Sequence, residues 1–339
     1  MGTKRPWSYI ALAAVAALLV AMTVPASAAH RQVIGVGYDG AGLGDLSFHD
    51  MAHEGLVQAQ EDFPIFAKEL DQFTDGGQFL PLTRVTRTLA NTSDMVIGIS
   101  FLFVDPVLAT APHRPDVNFV IVDSAVEWLT DAPNVAGITF AHNEGSFLVG
   151  AAAAMTSKSD VIGFIGGLDI PIIHEFEVGF TAGVHHVNPD TTVLIDYLPG
   201  FVDPAPAYGA GVAMYDAGAD VVFHAAGFAG IGLFEAARDF SLANSHVWAI
   251  GVDADQYLAV PADLQPHILT SMMKRVDLAV YNAIEAQVTG TFMPGDHQLD
   301  LAAGGLDYAT SGGFIDDLVG DLEALRADII SGAIVVPNP

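Results

Sequence analysis

"QVIGVGYDGAGLGDLSFHDMAHEG", residues 32–55, reads as an apolar strand, a glycine-rich loop and the opening of a helix. The strand, 32–38, is apolar at nearly every position rather than at every second one, the pattern of a strand buried on both faces of a parallel sheet. Ser47 stands where a helix would start, and 47–62 continues with a helical period. The same unit recurs along the chain. Strand-like runs cover 94–100, 117–123, 135–140, 160–167, 192–198, 220–227 and 246–253. Helical periods cover 78–91, 101–111, 142–157, 174–187, 205–217, 228–242 and 274–289. This β-α alternation predicts a doubly wound α/β fold with right-handed crossovers.

Residues 1–28 are of another kind. Lys4 and Arg5 precede an apolar run from Ile10 to Val24, and Ala26-Ser27-Ala28 has the small-x-small form of a cleavage site. That is a secretory signal peptide cut after Ala28; the run is short for a membrane anchor. About 310 residues remain, more than one ordinary core holds, so two lobes are expected. The expected first lobe is 29–141 plus about 254–290, and the second 142–253 plus about 291–339. The chain would cross near Phe140–Asn143 and again near Asp253–Gln256. The tail from Gly295 reads as a small antiparallel piece and a last helix, 314–331. Two such lobes joined by a multi-strand hinge make a clamp around a small ligand, held outside the carboxyl ends of the strands.

Composition narrows the function. The chain contains no cysteine, which excludes disulfides, thiolate catalysis and cysteine-bound zinc, and removes the residue that would carry a lipid anchor. Its net charge is −28, and loss of Lys4 and Arg5 with the leader takes it to −30. Such a surface repels nucleic acid and anionic lipid, and fits a saline habitat in which salt screens the self-repulsion.

No constellation of residues specifies catalysis. Gly35-x-Gly37-x-x-Gly40 matches a dinucleotide fingerprint in form, but Gly35 and Gly37 lie inside the strand and Asp39 would face the pyrophosphate. His49 and His53 share a helix face without a third metal ligand, and read as helix-surface residues. There is no GxSxG elbow; His185-His186 and Asp316-Asp317 read as solvated faces. Neither a cofactor nor a metal is expected. Polar and aromatic residues do recur at strand ends: Asp45 and Phe48, Asp123, Phe201, Gly227 and Phe228, Asp253, and Lys274. Taken one at a time each has a structural reading, as core, cap or turn. Taken together they converge on the cleft, where aromatic faces can stack on a planar ring and carboxylates can bind vicinal hydroxyls.

The stretch from Gly37 to Gly55 resembles the opening motif of the basic membrane protein, or PnrA-like, family of solute-binding proteins: Asp, a glycine loop, Asp-x-Ser-Phe-Asn, then a helix with Glu-Gly. "VNFVIVDS", "NVAGITFAHNEGSFLVGAAAAM", "GADVVFHAAGFAGIGLFEAA", "AIGVDADQ" and "ILTSMMKRVDLAVYNAI" extend the resemblance over essentially all of the mature chain. It implies a type I periplasmic-binding fold serving an ABC importer, with an inner-membrane permease as partner and a periplasmic monomer as the working form. It further implies a purine nucleoside as ligand, the base stacked between Phe48 and Phe201 and bonded at its edge by Asp123. Asp253 and Lys274 would meet the ribose, with Asp39, Asp45, His49 and Gly227 lining the same pocket. This chain departs from the family pattern at His49, where asparagine is usual, at Phe228, where a small residue is common, and in lacking the lipid-bearing cysteine. Three alternatives stay open: a binding protein for another heterocycle such as riboflavin, an exported nucleoside hydrolase drawing on Asp39, Asp45 and Asp50, and a ligand sensor for a membrane receptor.

Overall fold

The computed structural model describes residues 31–40, 42–73, 78–126 and 132–339; the leader lies outside them. In chain order the elements are β1 (Val33–Tyr38), α1 (Phe48–Asp62), β2 (Phe66–Asp71), α2 (Leu82–Ala90), β3 (Met95–Ile99), α3 (Val104–Leu108), β4 (Asn118–Val122) and β5 (Val135–Phe140). They continue with α4 (His142–Thr156), β6 (Val161–Gly166), α5 (Pro171–Val187), β7 (Thr192–Tyr197), α6 (Pro204–Asp216), β8 (Val221–Ala225) and α7 (Ile231–Ala243). The chain ends with β9 (Trp248–Asp253), α8 (Gln256–Ala259), β10 (Ile268–Lys274), α9 (Val276–Thr289), β11 (Gly295–Leu299), β12 (Leu306–Tyr308) and α10 (Val319–Ser331).

Two sheets carry the fold, in the orders β11-β5-β4-β3-β1-β2 and β12-β10-β9-β8-β6-β7. Among the described residues, the strands of both sheets pair in parallel except β10 with β12. Central strands such as β3 and β8 are buried at every residue, which is why they read as unbroken apolar runs. This is the type I periplasmic-binding architecture: two doubly wound lobes with several crossings between them.

Sheet pairing corrects the expected lobe boundaries. Residues 254–290 do not all join the first lobe: β10 pairs with β9 in the second sheet, and the chain crosses only after Lys274. Then α9 packs on α1 of the first lobe, where Tyr281 Oη donates to Asp62. Gly55 permits that approach, since a Cβ there would lie 2.2 Å from the Asp277 carbonyl oxygen. The tail is not one antiparallel piece either. β11 adds to the first sheet beside β5, while β12 closes the edge of the second. β2 and β11 carry no strand signal in the sequence because both are edge strands with polar residues, FAKELD and GDHQL, and show no apolar run.

Candidate functional site

The carboxyl ends of the two sheets face one cavity of about 250 Å³, at the small end of ligand pockets, which run from about 300 Å³ upward. Asp39, Asp45, Phe48, His49, Asp123, Phe201, Gly227, Asp253 and Lys274 all border it. The cavity gathers residues from distant parts of the chain because each lies after or at the end of a parallel strand.

The loop between β1 and α1 is the most heavily wired part of the site. Asp45 accepts the backbone N–H groups of Ser47 (3.0 Å), His49 (2.9 Å) and Asp50 (3.1 Å), and its Oδ2 also accepts His49 Nδ1–H at 2.9 Å. Asp45 therefore caps the first turn of α1 and holds an imidazole, and its hydrogen-bonding capacity goes largely to the protein. Asp50 in turn accepts from Gly44 N–H (2.7 Å) and Leu46 N–H (2.9 Å). That clamp holds a loop in which Gly44 and Leu46 both have left-handed backbone angles, φ 90 and φ 55.

His49 is buried with Nε2 3.1 Å from Asp39 Oδ1, so two carboxylates flank one ring. Burial opposes its protonation, but the hydrogen bonds and charges of Asp39 and Asp45 outweigh it and carry the pKa to about 10. The position thus holds an imidazolium. His53, one turn on, is half-exposed and pairs with Glu69 at 3.0 Å, away from His49's partners. Among the described residues no group of three His, Asp or Glu side chains is arranged around a possible metal ion.

Asp123 and Asp253 sit at matching places in the two lobes, just after β4 and at the end of β9. Both adopt left-handed angles, φ 67 and φ 63, which turn the chain off the strand and into the cleft. Asp123 pairs with Lys274, whose Nζ also lies 4.6 Å from the Phe48 ring centroid and 5.1 Å from that of Phe140. Burial pushes the Asp123 pKa up, yet Lys274 and the neighbouring His142 bring it down to about 2. Asp253 moves the other way: burial raises its pKa, while Lys274 and the Ser47 hydroxyl offset part of the rise.

Phe48 opens α1 in the first lobe, and Phe201 comes after β7 in the second. Phe201 packs against Gly167, where a Cβ would come within 2.2 Å of the ring. The fit requires glycine. The site therefore offers two aromatic rings from opposite lobes, carboxylates that accept hydroxyl or amine hydrogens, and two cations, Lys274 and His49.

Several bordering residues carry no signal in the sequence. Phe176 lies in the period of α5 and reads as core; it stacks on His142 at 4.5 Å and borders the cavity. His142 Nδ1 meets Glu175 at 2.7 Å, and its Nε2 lies 3.5 Å from Asp123 Oδ1. Ser100, Phe101 and Leu102, in the turn after β3, complete the first-lobe wall.

Comparison with known proteins bears on the family and the fold. A family model described as ABC transporter substrate-binding protein PnrA-like matches residues 31–339. The ABC transporter nucleoside-binding protein BmpA of Lactococcus lactis is 33% identical, with 98% of this chain and 97% of that protein covered. The CD4+ T-cell-stimulating antigen of Listeria monocytogenes is also 33% identical, over 88% of this chain and 86% of its own length. Among solved structures, an ABC transporter solute-binding protein from Aeropyrum pernix superposes with a TM-score of 0.77 at 26% identity, covering 91% of this chain and 94% of the other.

Proposed function

We propose that this chain, which belongs to the PnrA-like family of ABC transporter substrate-binding proteins, captures a purine nucleoside in the cleft between its lobes. The family's members bind small solutes outside the cytoplasm and deliver them to a permease; the nucleoside is our reading of this particular site. One observation carries it. Phe48 and Phe201, from opposite lobes, border a cavity whose remaining walls supply strand-end carboxylates and a buried lysine.

An aromatic pair suits a flat heterocycle, with stacking contributing about 1–3 kcal/mol per base. Asp253 and Lys274 suit the ribose hydroxyls, and Asp123 the base edge. Micromolar binding corresponds to about −8 kcal/mol. The nucleoside-binding relative from Lactococcus lactis supports the same ligand class.

A metal-dependent hydrolase finds less support. The carboxylates of Asp45 and Asp50 are engaged by backbone N–H groups, which leaves them poorly placed to hold a cation. We take the protein to act in the periplasm, on the strength of its apolar leader and of a chain without the cysteine that would carry a lipid. Ligand contacts to both lobes would favour closure.

Thermal-shift measurements against nucleosides, free bases, flavins and sugars test the assignment. A purine nucleoside should raise the melting temperature most. A shift only with flavin would overturn the ligand, and release of free base from inosine would overturn the class.

A further inference from the structure

Ser47 stands at the N-terminus of α1, where a serine hydroxyl ordinarily accepts a hydrogen bond from the first helical turn. Here its side chain makes no such cap, because Asp45 already accepts from the backbone N–H groups of His49 and Asp50. The hydroxyl is free to point elsewhere. It is fully buried, and it donates to Asp253 Oδ2 at 2.5 Å, the length of a charge-assisted bond, with the Val252 carbonyl farther off at 3.4 Å. This bond runs from the first lobe to the end of β9 in the second. A second bond crosses beside it: Gln256 Nε2 donates to the Leu46 carbonyl at 3.2 Å, while its Oε1 accepts from Val252 N–H at 2.9 Å.

We propose that Ser47 is a positioning residue for ligand capture: its hydroxyl fixes one oxygen of Asp253 from across the cleft and leaves the other oxygen for the ligand's hydroxyls. The inference rests on the nucleoside reading above, and deepens it by making the ribose-binding carboxylate depend on both lobes. The main chain of Asp253 is set by its left-handed turn, so its side-chain torsions are what remain to be fixed. The charged groups facing that carboxylate are Lys274 from β10, Asp123 from the turn after β4 and Asp45 from the loop before α1. Burial and the two aspartates favour the neutral acid; Lys274 and the Ser47 hydroxyl favour the carboxylate. Loss of the hydroxyl would therefore free the side chain and also make it easier to protonate, with the loss of an acceptor.

The test is calorimetric titration of inosine into the full mature chain and its Ser47→Ala variant between pH 5 and 8. The variant should bind about tenfold to a hundredfold more weakly, with a ligand-free melting temperature only a few degrees below that of the parent, since Lys274 still faces the carboxylate. The ratio of the two affinities should widen as the pH falls. Ser47→Thr, which keeps the hydroxyl, should keep the parent's pH profile whatever its absolute affinity. A ratio near one, or a ratio constant with pH, overturns the inference while leaving the nucleoside reading intact. A parent protein that binds no purine nucleoside overturns the reading itself, and this inference with it.

Discussion

Lys274 and Asp123 form an ion pair across the two lobes, the ammonium at the end of β10 in the second sheet and the carboxylate just after β4 in the first. Lys274 is 3% exposed and Asp123 11%, so both charges are largely withdrawn from bulk water. Removing one member of a buried pair strands the other, at a cost of about 3–5 kcal/mol. Lys274→Ala should therefore lower both unfolding free energy and nucleoside affinity, measured by urea denaturation and calorimetry. Asp123 adds an acid limb to this. Its folded pKa, about 2, lies below the ordinary value of about 3.9. Its contribution is present above that ordinary value and is lost as the pH falls toward 2.

His49 should give the opposite pH dependence. Its folded pKa of about 10 exceeds the ordinary value of about 6.5, so its stabilisation is complete below pH 6.5 and lost as the pH rises through 10. Denaturation between pH 6 and 10 should show stability falling, and His49→Asn should flatten that slope. A ring that titrates near 6.5 by NMR would show that the two flanking carboxylates do not hold the charge.

Phe48→Ala and Phe201→Ala should each weaken nucleoside binding about fivefold to a hundredfold, in line with about 1–3 kcal/mol for a stacked base. Both rings lie at the cavity rim rather than deep in a core, so the ligand-free melting temperature should fall by only a few degrees. Equal affinity in either variant would place the base elsewhere.

Gly167→Ala tests the support beneath one of those rings. The new methyl would enter the space of the Phe201 ring, 2.2 Å from its nearest carbon, and force the ring toward the cavity. Affinity should drop severalfold in calorimetry, more than the loss of stability in denaturation accounts for.

Much of this organisation is legible in the sequence, for a physical reason. Parallel strands buried on both faces announce themselves as apolar runs, and the residues just beyond each run lie at the cleft by construction. Asp123, Phe201, Asp253 and Lys274 can be found that way, and they border the cavity. Edge strands such as β2 and β11 lack the apolar run, so neither the lobe boundary near residue 275 nor the placement of the tail can be read from hydropathy. Side-chain assignments within a loop are also beyond its reach. Asp45 reads as a ligand contact, whereas the left-handed turns at Gly44 and Leu46 aim it at backbone N–H groups and His49. Phe176 reads as core because a helical period does not say which end of the helix meets a cavity.

A purine nucleoside held between two phenylalanines and a strand-end aspartate is the reading on which the rest depends. Isothermal titration of inosine, guanosine and adenosine into the mature protein puts it to the sharpest test. Saturable one-to-one binding at about 10 μM or tighter is expected for at least one of them, abolished by Asp253→Ala in a protein that remains folded. Absence of saturable heat with every purine nucleoside up to millimolar concentration, or binding that survives Asp253→Ala unchanged, would refute it.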